Sequence, residues 1–189
     1  MTETGPAGGW RGALASYREP AVAAMLFLGF AAGLPFLLVF STLSAWLAQL
    51  DVSKATIGLF SWVGLTYSIK VFWAPVIDRL RLPLLGRLGR RRGWMLLAQC
   101  GIVGGLWGLS GSDPAANLLG VALWALLVAF ASATQDITID AWRIEAAPAP
   151  WQGALAASYQ LGYRIALIVA GAGALYVAAT AGWMSAYRV

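Results

Sequence analysis

Five long apolar runs joined by short polar connections leave a chain of 189 residues little choice of architecture. A helix needs roughly 20 apolar residues to cross a hydrocarbon layer of about 30 Å. Against that length the runs fall at about Pro20 to Leu50, Thr56 to Leu80, Gly93 to Leu109, Pro114 to Trp142 and Gln152 to Ala179. Away from water each run must satisfy its own backbone hydrogen bonds, so each is expected as a helix. Composition agrees, because 60% hydrophobic and 11% charged residues give too little polar surface to coat a soluble globule of this size. The expected fold is an all-α polytopic membrane bundle, with a tail over residues 1–19 and the bundle over residues 20–189.

Charge gives that bundle a direction. Arg79, Arg81, Arg87, Arg90, Arg91 and Arg92 crowd the connection between the second and third runs, and Arg11, Arg18 and Arg143 fall at the same end. Only Lys54 and Arg188 fall at the other. Cations are retained on the cytoplasmic side, so the N-terminus is expected inside and Val189 outside. The net charge of +5 does not argue for nucleic acid, since the cations gather in one inter-helix loop without a zinc spacing, an RNP motif or a basic helix face. Anionic lipid headgroups are the neighbours expected there. No short apolar core with a small-residue cleavage site precedes the first run, so no cleaved signal peptide is expected.

Several chemistries are disfavoured. There is no histidine, and the single cysteine, Cys100, sits in an apolar run where a packing role is expected. No zinc, haem or iron–sulfur ligand set follows from such a composition, and neither a cofactor nor a metal site is expected. No nucleophile elbow or phosphate-cradling glycine loop is present, so the chain does not read as an enzyme.

The informative residues are polar ones inside apolar runs. Ser132, Asp136 and Asp140 recur every four residues in the fourth run and form one helical stripe, with Gln135 on its flank. Charge at membrane depth must face protein or water. Asp140 lies near the cytoplasmic end, where an ordinary ion pair with Arg143 would account for it; Asp136 lies about 6 Å deeper. Lys70, in the second run, reaches a similar depth and either pairs with Asp136 or snorkels back to the interface. Arg164 lies roughly 18 Å into the fifth run, with Gln160 one turn away and Tyr163 beside it. Its guanidinium either pairs with an acid such as Asp136 or grips a substrate carboxylate on two prongs. These groups can bind and exchange protons, the minimum equipment of a proton-coupled carrier. Gly29, Gly33 and Pro35 interrupt the first run; they either admit a close helix neighbour or bend the helix to shape a cavity.

Several of these motifs are familiar. Asp78-Arg79 and Gly89-Arg90-Arg91 resemble the loop signature of the major facilitator superfamily, although Ala74 replaces its first glycine and an insertion containing Pro83 separates the two parts. Gly29-Phe30-Ala31-Ala32-Gly33-Leu34-Pro35, Thr56 to Ser61, Trp73-Ala74-Pro75, Gly89 to Trp94, Gln135-Asp136 with Asp140-Ala141-Trp142, and Gly162-Tyr163-Arg164 resemble, in order, the anhydromuropeptide permeases of that superfamily. The resemblance implies a multi-pass inner-membrane symporter that imports anhydro-muropeptides with protons and feeds beta-lactamase induction. It also implies twelve or more spans in two halves, so the chain is expected to be the N-terminal part of a carrier, ending before a sixth span and lacking its C-terminal half. Asp136, Arg164, Lys70, Gln135, Gln160 and Tyr163 are the expected substrate or proton residues. Asp78, Arg79, Arg90, Arg91 and Asp140 are the expected cytoplasmic gate.

Overall fold

A computed structural model describes residues 17–188, so residues 1–16 of the expected tail, Arg11 among them, and Val189 lie outside the described residues. Five helices are long and apolar enough to cross a membrane: α1 (Pro20–Gln49), α2 (Lys54–Phe72), α3 (Arg90–Ser110), α4 (Leu118–Ala146) and α5 (Ala149–Ala181). No strand occurs among the described residues. The described residues form the expected all-α bundle, with five candidate spans.

Local chemistry sets the ends. Pro20 occupies the first turn of α1, where its missing N–H has no partner to lose. Ser53 caps α2 through the Thr56 amide at 3.1 Å, and Asn117 caps α4 through the Gly120 amide at 2.9 Å. Gly89 (φ 101°) and Gly182 (φ 84°) take left-handed conformations that open α3 and close α5, positions where a side chain would be strained. After Gly182 the chain reverses into a four-residue helical turn, Trp183–Ala186. There Trp183 stacks on Trp46, and the Tyr187 hydroxyl donates to the Leu38 carbonyl at 2.9 Å.

Several boundaries differ from the sequence expectation. Arg90, Arg91 and Arg92 form the first turn of α3 rather than part of the loop. Cations at a helix N-terminus oppose its dipole, and acids brought against Arg91 offset them. The second run is not one regular helix: 3-10 turns at Ser61–Gly64 and Lys70–Phe72 interrupt α2, and a short helix, Ala74–Arg79, prolongs it. Cys100, expected to pack internally, is exposed.

The spans pack as two tight pairs, α1 with α5 and α3 with α4, and α4 also touches α1 and α2. The α1–α5 seam is built from glycines. A Cβ on Gly29 would strike the Tyr159 carbonyl, and one on Gly162 the Leu26 carbonyl. One on Gly33 would lie 2.7 Å from the Tyr163 carbonyl oxygen. Of the two readings of Gly29 and Gly33, close packing is therefore the one the contacts display. The departure from α geometry comes later, at a π-helical stretch over Leu38–Thr42 that faces a second one at Val169–Gly173. Thr42 Oγ1 donates across to the Ala170 carbonyl at 2.8 Å.

Apolar packing divides into two cores. One gathers Leu43, Leu47, Leu109, Val121 and Val128; the other gathers Val22, Met25, Ile139, Trp151 and Leu155. Along α4 the stretch between them carries Ser132, Thr134, Gln135, Asp136 and Thr138, a polar layer inside the bundle.

Candidate functional site

That layer holds the charge pair. Lys70 Nζ lies 3.6 Å from Asp136 Oδ2, with side chains 32% and 19% exposed. Lys70 does not snorkel away, and of the two cations considered for Asp136 it is the one that reaches it. Lys70 opens the 3-10 turn Lys70–Phe72, so the pair sits where α2 loses regularity. Next to it Trp73 Nε1 donates to Thr134 Oγ1 at 3.2 Å, and the Trp73 ring lies 4.8 Å from that of Phe130, which fixes α2 against α4.

The other oxygen, Asp136 Oδ1, is buried without a hydrogen-bond partner, as are the Ser132 and Tyr67 hydroxyls. Tyr67 comes from α2, its ring edge-on to Phe36 at 5.7 Å and its hydroxyl beside Ser132. Tyr159 and Tyr163 of α5 lie within electrostatic reach of Asp136. Sequence reasoning missed Tyr67 and Tyr159. Its only signal for Tyr67 was spacing: three residues before Lys70, on the same helical face.

Gln135, next to Asp136 in sequence, lies against a cavity. Gln135 is fully buried, with neither amide atom hydrogen bonded, and lines a cavity of about 580 Å³ together with Phe30, Leu34, Gln99 and Ile102. Gln160 and Arg164 stand on the exposed face of α5, one turn apart, with Tyr163 half-buried at their edge. Arg164 makes no ion pair among the described residues. Midway along an apolar span, a guanidinium is expected to face protein or water rather than lipid.

At the end that carries the arginines, Arg91 bridges two helices. It contacts Asp78, beyond α2, and its Nη2 donates to Glu145 of α4 at 2.8 Å. Arg90 approaches the same carboxylate at 3.9 Å. Of the expected gate, Asp78, Arg90 and Arg91 come together, but the acid that joins them is Glu145, which the reading of the sequence passed over. Asp140 instead pairs within its own helix, with Arg143 at 3.8 Å, and Arg79 makes no ion pair among the described residues. Glu145 was hidden because the fourth run was ended at Trp142, whereas α4 continues to Ala146.

Among the described residues no group of histidine, cysteine and acidic side chains could hold a metal. The site is one of ion pairs, hydroxyls and amides set within a helix bundle. Known proteins place it in context. Residues 22–112 match the family model described as Acetyl-coenzyme A transporter 1. The anhydromuropeptide permease of Escherichia coli (strain K12) is 40% identical over 172 residues, covering 90% of this chain and 34% of that protein. A putative transporter AmpG 4 of Rickettsia felis is 37% identical over 158 residues, covering 84% of this chain and 38% of that protein. The chain thus spans little more than a third of the length of these curated relatives. Most of the chain is covered by these matches, and over that stretch it is similar to the AmpG-like permeases.

Proposed function

We propose that the chain is the N-terminal, five-span part of a proton-coupled carrier that imports anhydro-muropeptides across the bacterial inner membrane, its N-terminus in the cytoplasm. The observation that carries the reading is the Lys70–Asp136 pair, held at membrane depth between two apolar cores. Removing water strengthens the attraction between the two charges but penalises each alone, so a change of protonation on Asp136 alters how α2 and α4 hold together. In this reading Asp136 carries the proton and Lys70 senses its charge. Arg164 takes the substrate's carboxylates, Gln160 and Tyr163 its sugars and amides, and Gln135 provides a further amide contact. Asp78, Arg91, Arg90 and Glu145 hold the cytoplasmic ends together in one state and part as the halves rock, with Arg79 and Asp140 at the margin of that contact. Imported muropeptides would in turn feed beta-lactamase induction.

The exposed polar edge of α5 supports an opposing half, since Gln160 and Arg164 need a wet or protein surface across from them. The chain alone has one wall of such a pathway and is expected not to transport. The test is a chimera in which residues 20–188 replace the homologous stretch of the Escherichia coli permease, expressed in cells lacking their own. Uptake of labelled anhydro-muropeptide that collapses with the proton gradient supports the reading; a folded, membrane-inserted chimera with no uptake overturns it. A second reading, an acyl-coenzyme A carrier, is favoured by the family match over residues 22–112. Competition by acetyl-coenzyme A in the same assay separates the two.

A further inference from the structure

A cavity of about 320 Å³ opens at the arginine-rich end of α3, lined by Arg81, Arg90, Arg92, Trp142 and Glu145, with Arg91 at its back. Its charges do not balance. Glu145 and Asp78 are both engaged by Arg91, and Glu145 meets Arg90 only at 3.9 Å. Arg81 and Arg92 are exposed and make no ion pair among the described residues. Arg90 Nε is buried without a hydrogen-bond partner, an unmet donor beside the same cavity. Gly89, which also lines the cavity, offers no side chain to cap the first turn of α3. Several guanidinium groups lining one cavity favour an anion with several acceptor oxygens among them, and the planar fork of arginine suits phosphate best.

We propose that this cavity is a phosphate-group site, occupied by the headgroup of an anionic phospholipid. Trp142 and Leu88 supply an apolar wall for the glycerol and upper acyl region, as expected at the interfacial end of a span. The ligand chemistry is a phosphodiester or phosphate monoanion, which a free phosphate shares; the membrane source is favoured because the cavity lies at the ends of two spans. The site is independent of what the carrier moves.

The test is native mass spectrometry of the chain released from micelles containing phosphatidylglycerol, phosphatidylcholine or inorganic phosphate alone. Retention of phosphatidylglycerol over phosphatidylcholine by at least tenfold, reduced at least tenfold in Arg81→Gln/Arg92→Gln, is the expected result. Both substituted side chains are exposed, and a matched circular-dichroism spectrum verifies the variant's fold. Specific retention of inorganic phosphate with no lipid preference keeps the phosphate site but overturns the lipid as its occupant. Equal retention of the two lipids without phosphate binding, or retention unchanged in the folded variant, overturns the site itself.

Discussion

The α1–α5 seam and the α2–α4 contact join helices in opposite ways. In the seam, Gly29, Gly33 and Gly162 let backbones touch, Ser158 Oγ donates to the Val22 carbonyl at 2.6 Å, and Thr42 ties two π-helical stretches together. Across the α2–α4 contact, the joining groups are side chains: a charge pair, an indole–hydroxyl bond and three polar atoms without partners. Backbone-to-backbone packing has one arrangement and tolerates no added atom, whereas ion pairs and hydroxyls can exchange partners at small cost. The seam has the least room to rearrange, and the polar contact is where the proposed proton would act.

Substitution can break that contrast. Gly162→Leu drives a side chain into the Leu26 carbonyl and is expected to cost ~3 kcal/mol or more, enough to lose monodisperse protein on size exclusion. Gly58→Ala, in open space on α2, serves as its control and should leave thermal stability unchanged or raised by up to about 1 kcal/mol. If both variants behave alike, the seam does have room to rearrange. Lys70→Ala strands a half-buried carboxylate and should cost about 1–3 kcal/mol, less than a fully buried pair because water still reaches it. Adding Asp136→Asn should restore most of the loss; a double variant as unstable as the sum of the singles would show that the two side chains do not interact. Thr42→Val removes one buried hydrogen bond from the seam and should lower stability by about 1 kcal/mol in chemical denaturation.

Most of the fold could be read from the sequence, because a bilayer permits few structures and five apolar runs of sufficient length declare themselves. The glycine seam was half legible: the spacing of Gly29 and Gly33 announced a close neighbour, but only the tertiary contacts identify it as α5. The site divides the same way. Charge inside an apolar run is conspicuous, so Lys70, Asp136 and Arg164 stand out from the sequence alone, whereas the choice of Lys70 over Arg164 for Asp136 depends on how helices rotate against each other. Tyr67 and Glu145 were not legible for separate reasons. A tyrosine in an apolar run carries no charge to mark it. An acid just past the assumed end of a span looks like an ordinary loop residue until the helix is seen to continue.

The most direct measurement compares two modes of transport by the chimera carrying Asp136→Asn. Exchange of labelled for unlabelled muropeptide across an unenergised membrane needs binding and rocking but no net proton movement; accumulation against a gradient needs both. If Asp136 bears the coupled proton, the variant should retain exchange and lose accumulation. Accumulation driven by a pH gradient at the unsubstituted rate would show that the proton travels elsewhere and that the Lys70–Asp136 pair only holds helices together.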